Sequence, residues 1–345
     1  MAVTLNDIAK LANVDKSTVP MTLRNHPNSL HLRQETREKI RKLAKDLGYC
    51  SNENAISLRT GRIRIIALIA EDAAQDKNAF ISVNLSGLIH AASAKGYGIK
   101  VFTDQDLKAT FRKINADRLS LILSLSIDPE KREETAFLAE KMGLDLVFLF
   151  ERPHGKYPSI NVDNLSGASS AVAYLASMGH KRIGYISTGS TYKYQEERCR
   201  GFLEGLADAS LKKDPSFILY GKEEIEEDIV RILSLPPRKR PTALFCSTDA
   251  LAIRVQHIAL QLGLSLPDEL SIIGFSNSHF CDLAAVPLTS MDENFNERAL
   301  LAVKVLLKEI PEKDYPANGC FLVPSGLVER KSVKKITNKV KTQYK

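Results

Sequence analysis

Near the amino terminus, Lys16-Ser17-Thr18 places one cation and two hydroxyls in a row, a set able to hydrogen-bond to phosphates and base edges of a duplex. The neighbouring residues supply the geometry such contacts need. A helix-turn-helix requires a small residue in its first helix where the second crosses, a left-handed residue at the turn, and apolar residues clamping the pair. Ala9, Asn13, Val14 and Val19 occupy those places, and Asn tolerates positive φ better than other non-glycine residues. An ordinary helical hairpin would use the same apolar residues, so the turn alone leaves both readings open.

A second set of candidate residues follows the strands read further along: Glu71, Ile127, Glu151, Thr188, Asp249, Ser276 and Asp292. In open parallel sheets ligands sit beyond the carboxyl ends of the strands, and between two lobes the site is the cleft. A mainly polar set suits a hydroxyl-rich molecule held by hydrogen bonds. Catalysis is not expected, because the chain has no Walker-type phosphate loop, no G-x-S-x-G, no H-E-x-x-H and no glycine-rich turn after its first strand. Its seven histidines are dispersed, and its five cysteines are scattered without metal-ligand spacing, so no cofactor, metal site or disulfide framework is expected.

The elements that must position these residues fall into two styles. Up to residue 50 the pattern is three short helices: Leu5, Ile8, Ala9 and Ala12 after the N-cap Thr4, a second helix after Asp15, and a third carrying Ile40, Leu43, Ala44 and Leu47 and ended by Gly48. From Ile63 short apolar strands alternate with amphipathic helices. Strands are expected at 64–70, 98–103, 119–126, 144–150, 182–187, 217–220, 243–246 and 270–275, which makes parallel sheets covered on both faces and divided into two lobes.

Charge follows the same division. Residues 1–62 carry 11 Lys/Arg against 6 Asp/Glu, and the end from Lys331 has six lysines and no acid, within a net charge of +7. A basic start on a mildly acidic body fits a polyanion met at that end, while the lysine run reads as a solvated tail. No stretch approaches a membrane span, and the opening MAVTLNDIAK lacks a signal peptide's basic start and apolar run, so a cytoplasmic protein without membrane partners is expected.

Distinctive runs stand at Val3-Thr4-Leu5-Asn6-Asp7-Ile8-Ala9-Lys10-Leu11-Ala12, Lys16-Ser17-Thr18-Val19, Glu35-Thr36-Arg37-Glu38-Lys39-Ile40, Leu47-Gly48-Tyr49 and Ser57-Leu58-Arg59-Thr60-Gly61-Arg62. Others follow at Asn161-Val162-Asp163-Asn164, Gly179-His180-Lys181-Arg182-Ile183, Ser247-Thr248-Asp249, Ile273-Gly274-Phe275 and Pro287-Leu288-Thr289. In these runs the chain resembles the lactose-repressor (LacI/GalR) family of bacterial transcription regulators. The implied fold is an all-α helix-turn-helix domain (1–50), a hinge (51–62) and a two-lobed α/β effector domain of the periplasmic-binding-protein type I architecture. One lobe takes 63–163 and 291–322, the other 164–290 and 323–332, with a basic tail at 333–345.

The implied function is a regulator, a repressor by default, that binds a palindromic operator as a homodimer under control of a small effector, by default a carbohydrate. DNA-contacting residues would be Thr4, Leu5, Lys16, Ser17, Thr18, Met21 and Asn25, with Leu58 of the hinge wedged into the minor groove. Effector contacts would come from Phe80, Glu151, Arg198 and Asp249. Three of these have a plainer alternative: Asp249 as a helix cap, Arg198 in an interlobe ion pair, Phe80 in the core. The chain departs from the family pattern at Pro20-Met21, where Ser-Arg is usual, at Arg33 in place of a Ser cap, and at Ser276-Asn277 in place of an acidic pair. The first departure leaves open a regulator with degenerate DNA reading, and the effector domain alone would read as a solute-binding module.

Overall fold

The computed structural model describes residues 3–23, 26–49, 63–71, 80–188, 192–222 and 225–336, with the side chains of 80–83 and 222 left aside. The chain divides into two compact units, Met1–Arg64 and Ile65–Lys345.

The first unit is helical. It comprises α1 (Leu5–Ala12), α2 (Thr18–Leu23), a 3-10 turn at Pro27–His31 and α3 (Gln34–Asp46). Thr4 caps α1 in a reciprocal box: the Asp7 N–H donates to the Thr4 hydroxyl, and Asp7 Oδ2 accepts from the Thr4 main chain at 2.9 Å. Asn13 closes α1 in the left-handed region, at φ 56°. Ile8, Ala9, Ala12, Val19, Ile40 and Ala44 form one buried cluster, which fixes α2 against α1 and α3. Arg33 precedes α3 without any side-chain cap bond.

The second unit holds two six-stranded sheets. In the first lobe the order is β11 (Cys320–Val323), β5 (Ser159–Val162), β4 (Asp145–Leu149), β3 (Leu121–Ser124), β1 (Ile65–Ala70) and β2 (Gly98–Thr103), parallel throughout. Its helices are α4 (Phe80–Ala94), α5 (Leu107–Ala116), α6 (Pro129–Met142) and α11 (Phe295–Leu306). In the second lobe the order is β12 (Gly326–Val328), β10 (Thr289–Asp292), β9 (Ser271–Ser276), β8 (Ala243–Cys246), β6 (Ile183–Thr188) and β7 (Ile218–Lys222), with only β12 antiparallel among these pairings. Its helices are α7 (Asn164–Ser177), α8 (Lys193–Asp208), α9 (Glu226–Leu233) and α10 (Asp249–Gln261).

Period-two alternation divides the second sheet's side chains between two helical layers. Tyr185, Phe245, Ile273 and Phe275 pack with α7 and α8, whereas Ile186, Leu244 and Ile272 pack with α9 and α10. Helices α7 and α8 approach so closely that a Cβ on Gly201 would lie 2.1 Å from the Leu165 carbonyl oxygen. The eight strands read from sequence are present, and β5, β10, β11 and β12 are additional. The chain crosses between lobes after β5, after β10 and after β11, so three short connections join them. The first residues of the segment read as tail are held on the second lobe: Lys334 donates its N–H to Ser271 Oγ at 3.0 Å, and Ile336 to the Met178 carbonyl at 2.7 Å.

Candidate functional site

In the helical unit the turn delivers Lys16 and Ser17 to the surface, both exposed, ahead of a half-buried Thr18. Asp15 Oδ1 accepts from both the main chain (2.7 Å) and the hydroxyl (2.6 Å) of Ser17. That local bond orders the start of α2 and leaves the Ser17 oxygen's lone pairs for an outside donor. Pro20 is the third residue of α2. The first four helical N–H groups have no partner within a helix, so proline costs no bond there and α2 runs on through it. Met21 is half-buried, Thr4 is exposed and Leu5 half-buried. Asn25 and Leu58 lie outside the described residues.

In the two-lobed unit Asp249 is the first residue of α10, and the cap is its neighbour: Thr248 Oγ1 accepts from the Leu251 N–H at 3.3 Å. The Asp249 carboxylate is buried, with Oδ1 accepting from the Ser290 hydroxyl at 2.5 Å and Oδ2 from the Ser278 N–H at 2.7 Å. It therefore ties α10 to β10 and to the turn after β9. Burial pushes its carboxyl above the usual range, against these hydrogen bonds. Gly274 makes the space, since a Cβ there would fall 2.3 Å from Asp249 Oδ1.

Arg198 is buried and fully engaged. Nε donates to Asn164 Oδ1 (2.8 Å), Nη1 to the Ser247 carbonyl (2.7 Å) and Nη2 to Glu293 Oε1 (2.7 Å), while Phe275 packs against the guanidinium face at 3.7 Å. Glu293, on the second crossing, also accepts from the Ser276 hydroxyl (2.9 Å) and from Arg298 Nη2 (3.1 Å). One carboxylate thus joins α8 of the second lobe to α11 of the first. Burial works to raise the Glu293 carboxyl, but the guanidiniums of Arg198 and Arg298 outweigh it and hold it low. Arg198 accordingly stands in the interlobe ion pair weighed as its plainer alternative.

Glu151 follows Phe150 just past β4, both in the left-handed region (φ 55° and 74°). Its Oε2 accepts the Lys193 N–H at 3.1 Å and Oε1 the Tyr194 N–H at 3.5 Å, so a first-lobe carboxylate meets the start of a second-lobe helix. Phe80 opens α4, but its side chain is outside the described set. A cavity of about 300 Å³ opens beside Glu151 and is lined also by Asn161, Asn164, Tyr194 and Glu197. A larger one of about 630 Å³ runs from Ser86 to Asn277, Asp292 and Phe295. Sequence reading assigned no site role to Glu293, Arg298, Asn164 or Ser290. The signal for Arg298 was a charge on the apolar face of α11, in register with Ala302 and Val305.

Residues 4–52 match the bacterial regulatory proteins of the lacI family, and residues 172–333 match the periplasmic binding protein-like domain. The chain thus carries a lacI-family helix-turn-helix domain ahead of a two-sheet domain of the periplasmic binding protein-like kind. Among its relatives is the HTH-type transcriptional repressor CytR of Escherichia coli (strain K12), 28% identical over 345 residues that cover 96% of this chain and 97% of that one. Another, named probable HTH-type transcriptional repressor ExuR, of Bacillus subtilis (strain 168), is 28% identical over 340 residues, 97% and 99% of the two chains. Among solved structures, the lac repressor dimer bound to operator and the anti-inducer ONPF has the same fold, with a TM-score of 0.72 at 20% identity over 97% of this chain and 100% of that one. The transcriptional regulator CelR–cellobiose complex superposes with a TM-score of 0.65 at 21% identity, over 96% and 99%. Among the described residues no helix is long and apolar enough to cross a membrane.

Proposed function

We propose that this protein is a cytoplasmic, non-enzymatic transcriptional repressor that binds a palindromic operator as a homodimer and changes its affinity when a small polar effector enters between the lobes. The observation that carries the reading is the left-handed turn at Asn13, which leaves Lys16 and Ser17 exposed at the head of α2. One such helix reads only a few base pairs, so useful specificity calls for two copies on a symmetric site. Thr4, Leu5, Thr18, Met21, Asn25 and Leu58 complete the proposed DNA surface.

On the effector side, the polar groups past the strand ends, Glu151 and Asp249 among them, with Arg198 of α8 beside Asn164 and Ser247, support a hydroxyl-bearing ligand. The CelR complex with cellobiose gives a precedent in the same fold. Phe80 is proposed to line the same cleft.

The test is selection of duplexes from a random pool by the full-length protein, followed by sedimentation with the selected DNA. Enrichment of an inverted repeat, bound by two protomers, is the expected result. Lys16→Ala should then weaken binding to all sequences and reduce its salt dependence by about one phosphate contact. Selection of no symmetric site, or a monomer on DNA at micromolar concentration, would contradict the proposal.

A further inference from the structure

The cavity of about 300 Å³ has Glu151, Asn161 and Cys320 of the first lobe on one side and Tyr194 and Glu197 of α8 on the other. Asp249 and Arg198 are not among its walls. Arg198 reaches it only through Asn164, whose Oδ1 it holds at 2.8 Å.

Several polar groups of the walls still have hydrogen bonds to make. Glu197 Oε2 accepts one long bond from Asn164 Nδ2, at 3.4 Å, and Oε1 accepts none among the described residues. Asn161 is buried, with Nδ2 donating to the Glu151 carbonyl and to Cys320 Sγ, while Oδ1 has no partner among the described residues. Asn318 Oδ1 accepts the Cys320 N–H at 3.0 Å, and Nδ2 is left to donate elsewhere. Acceptors and donors therefore stand side by side, next to the Tyr194 ring and Leu322.

Charge and size narrow the occupant. The walls set Glu151 and Glu197 against Arg152 and Lys193, two charges of each sign. One layer out, Glu196 pairs with Lys193 and Arg132 acts electrostatically on Glu151, which keeps the count even. A charged ligand would upset that balance and give up its own hydration, whereas an uncharged one does neither. The volume stands at the lower end of the range for ligand clefts, about 300–1,000 Å³, which suits one hexose ring and not two joined ones.

We infer that this cavity seats one neutral monosaccharide, with adjacent hydroxyls donating to the Glu197 carboxylate, further hydroxyls meeting Asn161 and Asn318, and the ring lying by Tyr194 and Leu322. This rests on the effector reading above and deepens it, with Arg198 as a positioning residue that acts through Asn164. Hydroxyls that donate to a carboxylate make the stronger, charge-assisted kind of hydrogen bond, so Glu197 carries most of the affinity.

The experiment is calorimetric titration of the full-length protein with glucose, galactose, mannose and ribose, against glucosamine, glucuronate and cellobiose. Alkylation of Cys320 by iodoacetamide, followed peptide by peptide in a mass spectrometer, reports on the cavity itself, because that half-buried thiol lines it whereas Cys246 and Cys281 are buried in the second lobe. At least one of the four neutral monosaccharides is expected to bind tenfold or more tightly than the amine, the acid and the disaccharide, and to slow alkylation of Cys320. Binding by none of the four, equal binding by a charged sugar or by cellobiose, or a Cys320 that does not react in the ligand-free protein would each overturn the inference.

Glu197→Gln keeps the side chain's size and removes the carboxylate. Its affinity for the bound monosaccharide should fall tenfold or more, with a ligand-free melting temperature near wild type. Should it fail to fold, Glu197→Asp serves instead, since it withdraws the carboxylate by one methylene and should also lose affinity. Unchanged affinity in whichever variant folds would overturn the assignment. Operator affinity measured in parallel separates the two readings. A sugar that protects Cys320 without changing operator affinity sinks the effector reading alone, whereas one that changes operator affinity without protecting Cys320 sinks this inference alone.

Discussion

Glu151 accepts the main-chain N–H of Lys193 at 3.1 Å, so that a side chain of one lobe caps the first turn of a helix in the other. Burial raises the Glu151 carboxyl, outweighing the N–H groups of Lys193 and Tyr194 and the charge of Arg132. An acid whose folded value is raised costs stability above its unfolded value of about 4.3, and the cost disappears as the pH falls through that window. Glu151→Gln keeps an acceptor for the N–H groups without the charge. Its melting temperature should exceed wild type at pH 8, by a margin that shrinks as the pH approaches 5. A margin independent of pH between those limits would refute the account.

Asp249 and Thr248 divide two roles that sequence alone merged. Thr248→Ala removes the helix cap, for about 1 kcal/mol. Asp249→Ala leaves the Ser278 N–H without its acceptor and the Ser290 hydroxyl with only the Met291 carbonyl at 3.4 Å, at about 2–4 kcal/mol for the two groups together. Urea unfolding should rank the variants in that order, and equal costs would show that the carboxylate is not the anchor of β10.

His180 is buried, with Nε2 3.1 Å from the Lys334 carbonyl and Nδ1 3.0 Å from Thr242 Oγ1. Burial lowers its pKa, against the Lys334 hydrogen bond, so the folded state prefers the neutral ring. The stabilisation is present above the unfolded value of about 6.5 and is lost as the pH falls below it. Wild type should lose more melting temperature than His180→Gln between pH 7.5 and 5.5, and parallel losses would assign the acid sensitivity elsewhere.

Because Pro20 sits in the first turn of α2, replacing Pro20-Met21 by Ser-Arg should leave the helical unit's thermal stability nearly unchanged. If the new arginine gains one bidentate base contact, affinity for the selected operator should rise by about 1–3 kcal/mol. Unchanged affinity in a gel-shift titration would mean that α2 lies differently in the groove.

The elements that sequence made legible are those with long, uniform patterns. Ile65–Ala70 is an unbroken apolar run, and the Thr4 cap and Asn13 turn are local devices whose chemistry is complete within a few residues. Strands β10 and β12 escaped because they are short, and Ser290 and Asp292 interrupt the apolar signal of β10. The Arg198–Glu293–Arg298 group was hidden for a different reason. Its members come from α8, a crossing and α11, and their meeting depends on how the two lobes share the chain. Phe150 carries no sequence mark of a positive φ, since its ring type disfavours that conformation.

The three crossings bear on how such a protein can be inherited. Neither lobe is a contiguous stretch of gene: a recombination joint between β6 and β11 would leave both sheets assembled from mixed parents, and one between β1 and β5 would still divide the first. The helical unit ends near Arg64 as one uninterrupted piece. Exchange at that joint transfers a complete DNA-reading head onto an intact effector body. The architecture thus favours exchange of the helical unit as a cassette, while the interleaved lobes must diverge by point substitution.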